Sequence, residues 1–462
     1  MIAAPVTGPV RERSPVRAIR ADALVLAALA FVAPARAQFP LLDPAGTNVL
    51  VMTPAVVNQL AEQMRTNHPA LRAADARSAA AKAELEAVRT WEDPMVKAGG
   101  LGARTEMRAD EGDIIYGIEQ KLPLFGKPRS ARRLRQEELA TETANADYQF
   151  QALRRDLAKA LYRAALSEQV AASGEEDLAW LKTLTATMEQ RYPLGEVTQA
   201  QVLRIQNERA RRESQLLTDR QTLAQQRGGL NRFLSRDVLA AWPKLELPPL
   251  AGPVPYNERM VNFALNYEPR LKVLRQQARQ AQAVVDVTRR QRLPEVSLDT
   301  EVRNYSGDGD FRQAMVTLNL NLPWLNARKY RQEIRRDEAR QAAAELDAAD
   351  FELGLREELH HLTLGLETAR REAILYHDEV LPRAQQALAA AHADWMANRG
   401  PLSEVLEGRR MLLEARLMAV RAVAEQYQML AELVLCCGLG DLEALRMIGA
   451  VPADGPAPPN QP

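Results

Sequence analysis

Glu404 and Glu407 stand three residues apart in SEVLEGRR, a spacing that puts two carboxylates on one face of a helix. Such a pair can attract cations or be an ordinary solvated face, and the residues alone leave both open. His360 and His361 follow Glu357 and Glu358. Adjacent histidines point about 100° apart on a helix and HExxH spacing is absent, so a surface or packing role is expected rather than a metal site. The 13 methionines are scattered, apart from Met411 and Met418 at heptad spacing, and form no ladder for soft cations. Cys436 and Cys437, the only cysteines, are neighbours on an apolar helix end, where reduced, buried packing is expected rather than a disulfide. With no Gly-rich phosphate loop, Ser-His-Asp set or CxxC, the sequence predicts no enzyme, no cofactor and no metal centre.

The elements that carry these residues are duplicated. RYPLGEV at 191–197 and RGPLSEV at 399–405 nearly coincide, and three prolines recur 200 positions apart: Pro69 with Pro269, Pro94 with Pro294, Pro123 with Pro323. The reading is a leader at 1–37, a first unit at 38–247 (hairpin about 95–123, turn about 191–197), a second at 248–446 (hairpin about 295–323, turn about 399–405), and a Pro-rich, disordered tail at 447–462. The register beyond the turns is ambiguous. The 7-mers lie 208 apart, whereas VLR at 202–204 and VLE at 405–407 lie 203 apart.

Aromatic residues make up 5 % of the 462 and charged residues 26 %, the composition of long two-faced helices. Formal net charge is zero, so nothing points to a nucleic-acid surface. At the start, Arg11, Arg13, Arg17 and Arg20 precede an apolar run from Ala23 to Ala33, and Ala35-Arg36-Ala37 before Gln38 has the small-x-small form of a signal-peptide cleavage site. That run is too short to span a bilayer, so an exported chain is expected. Removing five Arg and two acids (Glu12, Asp22) leaves it about three charges negative.

Within each unit the apolar period changes. Ala314, Val316, Leu318, Leu320 and Leu322 alternate with Met315, Thr317, Asn319 and Asn321, a strand with one aliphatic face. EVSLDTEVR before it also alternates, and SGDGD between them is a turn. The first copy has a Gly-rich strand from Met95 to about Glu106, a RADEGD turn, then Ile114, Tyr116, Ile118 and Leu122. Aliphatic-out, polar-in strands of about ten residues suit a membrane β-barrel, with Ala314, Val316, Leu318 and Leu320 facing lipid and Thr317, Asn319 and Asn321 facing the lumen. Four strands cannot close a barrel, so several chains would contribute. A soluble hairpin packed on a helical domain fits the same periodicity.

The rest reads helical. Val202, Leu216, Leu223 and Leu230 form one heptad stripe beside a second of Leu203, Ala210, Leu217 and Ala224, which suits a helix packed between two neighbours. From Lys127 to Tyr192 only Pro128 interrupts, at the very start, so the helix could reach on the order of 100 Å. Gly174, after Ser173, is a candidate interruption, as is Pro382 in the second copy. Pro193 with Gly195, and Pro401 with Gly400, are read as the bends and permissive positions of two reversals.

The order of helix, hairpin, long helix, turn and return helix, repeated behind a leader, resembles the TolC-like family of outer-membrane efflux channels. The resemblance covers nearly the whole chain after the leader and is carried by IEQKLPLFGKPRSARR at 118–133, VLPRAQQALAAA at 380–391 and SEVLEGRRMLLEAR at 403–416, the last similar to the family's D-V-L-D-A stretch. The first two look most like the heavy-metal branch, of CusC and CzcC type. The resemblance implies a homotrimer whose twelve strands form one barrel in outer-membrane lipid, continued by an α-helical barrel in the periplasm of a Gram-negative bacterium. It would serve as the passive exit duct for an inner-membrane pump and a periplasmic adaptor, with heavy-metal cations as cargo. Ducts for organic toxic compounds or type I secretion are the alternative within the family, and a soluble periplasmic coiled-coil adaptor or scaffold the alternative outside it. The resemblance further implies that Glu404 and Glu407 form acidic gate rings. Arg191, Pro193, Leu194 and Gly195, with Arg399, Gly400, Pro401 and Leu402, would form the periplasmic tip that meets the adaptor. Pro123, Gly126, Pro323 and Asn326 make the strand-to-helix turns, Asn326 standing for Gly126 because asparagine enters left-handed conformations. Many relatives carry a lipidated cysteine after the leader; Gln38 stands here, so no lipid anchor is expected.

Overall fold

The structure is a computed structural model that describes residues 49–101, 112–306, 309–397, 399–440 and 444. The leader with its Ala37–Gln38 junction, the end of the first Gly-rich strand beyond Leu101 and the tail at 447–462 lie outside the described residues. One plan is followed twice. The first copy runs β1 (Val49–Val51), α1 (Pro54–Asn67), α2 (Pro69–Ala87), β2 (Met95–Leu101), β3 (Asp113–Lys121), α3 (Lys127–Arg191) and α4 (Gln199–Phe233). The second runs β4 (Lys244–Glu246), α5 (Glu258–Tyr267), α6 (Pro269–Gln291), β5 (Val296–Tyr305), β6 (Phe311–Leu320), α7 (Ala327–Ile374), α8 (Leu381–Met396) and α9 (Leu402–Cys436).

The recurrent prolines each have a local job. Pro69 and Pro269 open α2 and α6, where a missing N–H costs nothing. The caps before them differ between copies: His68 Nδ1 accepts from the Ala70 N–H at 3.2 Å, and the Glu268 carboxylate accepts from the Leu271 N–H. Pro94 and Pro294 stand just before β2 and β5, and Pro123 and Pro323 between strand and helix. Gly126 adopts φ 69°, but Asn326 stays at −107°. A 3-10 turn at Pro323–Asn326 reverses the chain there instead, so the expected left-handed asparagine is not needed.

Two further expectations are corrected. Helix α3 runs unbroken for 65 residues through Ser173 and Gly174. Gly174 is there for contact: a Cβ would lie 3.2 Å from Leu216 Cδ1 and 3.3 Å from Arg212 Nη2 of α4. In the second copy Pro382 does not end the helix either. Helix α7 widens into a π-turn at Leu375–Val380 and continues as α8, with Pro382 in its first turn.

The hairpins join through β3 and β5 into one antiparallel sheet of order β2-β3-β5-β6. The register puts Ile114, Tyr116 and Ile118 opposite Asn304, Val302 and Thr300, and Leu298, Thr300 and Val302 opposite Leu318, Val316 and Ala314. One face is therefore mainly aliphatic, and its Ile114, Ile118, Val316, Leu318 and Leu320 are exposed. The other face carries Lys97, which donates to Asp299 at 2.6 Å and pairs with Glu119 at 3.0 Å, while Ser297 donates to Glu119 at 2.7 Å. A parallel pair, β1 with β4, ties the starts of the two copies together beside the main core, in which Met52, Met64, Leu157, Leu230, Leu245 and Met260 are wholly enclosed. Among the described residues no helix is long and apolar enough to cross a membrane. Cys437 is buried and its thiol is pushed up to about 12 by desolvation; burial raises the Cys436 thiol too, and the pair is unbridged. His360 sits edge-on to Tyr256 at 5.3 Å, and no metal-binding cluster occurs among the described residues.

Helices α6 and α7 are pinned by Asp337, which is 1 % exposed and accepts from Thr288 Oγ1 at 2.7 Å and from Arg336 Nε at 2.7 Å. The Arg336 hydrogen bond, aided by Thr288 and opposed by burial, holds its carboxyl below the usual range. A lowered folded value adds stability that is complete above the unfolded value and is lost as pH falls through the folded one. Asp337→Asn should therefore lower the thermal midpoint at pH 7, with the gap to the parent closing on acidification below about pH 4. A gap independent of pH in circular-dichroism melts would assign the loss to packing rather than charge.

Candidate functional site: the helical tip

Both long helices reverse at one end of the molecule, around a second apolar core. Leu181, Leu184 and Met188 of α3 and Val202 and Ile205 of α4 meet Trp395 of α8 and Leu402, Val405 and Leu406 of α9. Arg191, the last residue of α3, clamps the two reversals: its guanidinium lies 5.3 Å from the Trp395 ring centre, its Nη2 is 3.7 Å from Met396 Sδ, and its Nε is 3.6 Å from Glu196. The first reversal closes with Leu194 and Glu196 N–H groups donating to the Arg191 carbonyl and with Gly195 at φ 75°. Pro193 and Gly195 are exposed and Leu194 is 71 % exposed, a large apolar side chain held outward at the extremity. In the second reversal the Arg399 and Gly400 N–H groups donate to the Asp394 carbonyl, and the Arg399 side chain pairs with Asp394 at 3.3 Å.

The two 7-mers do not occupy equivalent places. RYPLGEV lies before the helix it leads into, because α4 starts only at Gln199, after the N-cap Thr198. In RGPLSEV the N-cap is already Pro401, and Leu402 is the first residue of α9. Caps Thr198 and Pro401 are 203 apart, so VLR and VLE align and the 208 register is wrong. Leu402 is accordingly buried where Leu194 is exposed, and Val405 matches Val202, both buried. Gly400 does not adopt positive φ; it accommodates Asp394, whose Cβ would be 3.3 Å from an added Cβ. Caps differ in strength as well. Thr198 and Gln201 form a reciprocal capping box, while Pro401 offers no side-chain acceptor.

Glu404 and Glu407 are both exposed in the first turns of α9, on its solvent side. Glu407 is 3.9 Å from Arg410, which is itself engaged by Glu208 of α4 at 2.7 Å. Further along, Asp177 of α3 holds two arginines: Arg409 Nε of α9 at 2.7 Å and Arg212 Nε of α4 at 3.1 Å. Arg409 also covers the Trp180 ring at 5.0 Å. Sequence reasoning missed Asp177, Arg212 and Arg409, whose partners lie 35 and 232 positions away. The scarcity of tryptophan, five in the chain, was the one usable signal for Trp180 and Trp395.

The outer membrane efflux protein family matches the chain in two segments, residues 60–236 and 260–439. The chain belongs to that family. The matched segments of this outer membrane efflux protein begin 200 residues apart and end 203 apart, in agreement with the caps. Among solved structures, the outer-membrane channel OprN has a TM-score of 0.73 at 18 % identity, covering 83 % of this chain and 90 % of its own. The outer membrane protein VceC from Vibrio cholerae has 0.71 at 19 %, covering 83 % and 96 %. CusC has 0.73 at 15 %, covering 84 % and 93 %. At these identities the likeness speaks for the fold alone. A comparison with curated proteins finds no match. As a family member the chain is a channel and not an enzyme, sits in the outer membrane and extends into the periplasm, and is the outer-membrane component of a tripartite efflux system.

Thr198 closes the capping box of α4, whereas Ser403 lies within the first turn of α9 and caps nothing. Thr198→Ala should cost about 1 kcal/mol and raise hydrogen exchange in the first turn of α4. Ser403→Ala, inside α9, should stay within about 0.5 kcal/mol. Equal losses would show that the Thr198 capping box adds nothing to α4 beyond an ordinary surface hydroxyl.

Proposed function

We propose that three copies of this chain form one exit duct, with twelve strands closing a barrel in outer-membrane lipid and the helices continuing as a hollow cylinder toward a periplasmic adaptor and an inner-membrane pump. The observation that carries this reading is a set of surfaces left without a partner in one chain. Among the described residues β2 and β6 have no outer neighbour, although their backbone groups require one in lipid. On α4 the stripe of Val202, Leu216 and Leu230 is buried, while Leu203 and Leu217 of the second stripe are 52 % and 61 % exposed. Leu346, Leu353 and Leu364 of α7 are exposed likewise. Helix order across the chain is α4, α3, α9, α7, so these stripes lie at opposite flanks and suit head-to-tail closure of a ring.

In this reading Val316, Leu318 and Leu320 face lipid, and Thr317 and Asn319 face the lumen. Arg191, Pro193, Leu194, Gly195, Arg399, Gly400, Pro401 and Leu402 form the adaptor-facing tip, with Leu194 as its apolar contact and Leu402 holding it from within. Glu404 and Glu407 become two rings of three carboxylates that favour cations and restrain anions. The cargo is heavy-metal cations, a reading supported by the acidic pair and by the likeness of IEQKLPLFGKPRSARR and LPRAQQAL to the metal branch.

Leu318→Arg should cost about 2 to 4 kcal/mol if near the bilayer midplane, and reduce trimer in the outer-membrane fraction, whereas Asn319→Arg should be tolerated. The opposite ranking would reverse the facing of the sheet. For the gate, replacing Glu404 and Glu407 together by Ala should lower cation selectivity and divalent block in planar bilayers while leaving trimer stability unchanged. Deleting the chain from its host should sensitise it to heavy-metal salts more than to organic toxic compounds. Unchanged selectivity would return the glutamates to a solvated face, and selective sensitisation to organic compounds would replace the cargo.

A further inference from the structure

We infer that the groove between α4 and α9, floored by α3, binds an amphiphilic organic anion. The cavity measures about 300 Å³ and is lined by Arg212, Arg409, Arg410 and Arg421 against Asp177, Glu208 and Glu414, four cations to three carboxylates. Its inner end is short of acceptors. Arg212 and Arg409 side chains are each only 15 % exposed and share the one carboxylate of Asp177. A guanidinium has five N–H donors, and here Arg409 spends one on Asp177, while the Arg212 Nε is buried without a hydrogen-bond partner among the described residues, its approach to Asp177 being an ion pair only. A bound anion would satisfy donors that burial has removed from water, which is where a charge-assisted bond is strongest. Arg421, at the open end, is exposed and has no ion pair among the described residues.

The remaining lining sets the ligand class. Leu406, Leu413, Leu417 and Met418 supply a hydrocarbon wall, so the fitting molecule carries a carboxylate or other oxyanion on a small apolar body. Space for Arg212 depends on Gly174, where a Cβ would lie 3.3 Å from its Nη2. The site does not depend on the proposed trimer or cargo. Arg212 is nine residues from Leu203, two and a half helical turns, so the unpartnered stripe of α4 lies on the other side of the helix and a second copy packed there leaves the groove open. A ligand in this groove touches α4 and α9 at once and so braces the two helical hairpins against each other.

The test is calorimetry on the purified full-length protein with benzoate as probe, benzamide and benzylamine as neutral and cationic controls, and thermal melts to confirm folding. Benzoate should bind and the controls should not. Arg409 and Arg410 line the same end of the groove, and Arg409→Gln and Arg410→Gln should each weaken benzoate about tenfold, the loss of one charge-assisted contact. Asp177→Asn, which removes the competing carboxylate, should tighten it. Arg410 is exposed, so its variant reports binding even if the Arg409 variant fails to fold. No heat at millimolar benzoate, equal binding of benzamide, or parental affinity in Arg410→Gln would overturn the assignment. Loss of benzoate binding in Asp177→Asn with the fold intact would overturn it too.

Discussion

Pairing of β3 with β5 is the constraint from which the rest of the molecule follows. It lays the two copies side by side in one sheet, residue 113 against 305 through 121 against 297, and so fixes where each long helix departs. From the turns after β3 and β6, α3 and α7 run out to the tip, with α4 and α9 returning packed beside them. The same pairing sorts the side chains. A slip of β2 and β3 by one residue against β5 would place Ile114 and Ile118 on the face of Asp299 and turn Lys97 and Glu119 onto the aliphatic face. Register is thus guarded from both faces, by burial of apolar surface on one and by charge pairing on the other.

At the far end no backbone ladder is available, and side chains take over its role. The tip is held by a tryptophan wedged among aliphatic residues, an arginine laid on that tryptophan, and a carboxylate that gathers arginines from two helices. Exposed ion pairs add little individually, but Asp177 and its two arginines are mostly withdrawn from water, where removing one member leaves charge without compensation. Core packing and charge therefore fix the same three helices, α3, α4 and α9, in two successive layers above the reversal.

Much of this was legible in the sequence, and the reasons differ by element. The strands could be read because alternation survives any tertiary context: Val316, Leu318 and Leu320 share a face whatever packs on it. Duplication could be read from prolines because each has a local steric purpose at a helix start, strand start or turn. The tip was harder. Pro-Leu-x-Glu-Val suggested equivalence, but identity of five residues says nothing about where a cap falls, and the cap is decided by Thr198 with Gln201 in one copy and by Pro401 in the other. Gly174 misled because glycine lowers helix propensity, whereas here it serves close approach of α4. The salt-linked groove could not be read at all, since its members are brought together only by folding. Spacing by three dictates that Glu404 and Glu407 share a face of α9, but that the face is exposed follows from the burial of Leu402, Val405 and Leu406 on the other side, which only packing decides.

The π-turn at Leu375–Val380 has a bearing on how the two copies could diverge. Between the strand-to-helix turn and the tip the second copy is three residues longer than the first, since its offset grows from 200 at Pro323 to 203 at Pro401, yet α4 and α9 are each 35 residues long. A descending arm that gains residues while the returning arm does not must become wider or overshoot. A π-turn, with more residues per turn and less rise per residue, is the wider solution, and it stands at the level where the first copy has Gly174. Part of the extra length on the descending arm is thus taken up within the helix, by one turn that rises less per residue, and the returning arm keeps the same length in both copies.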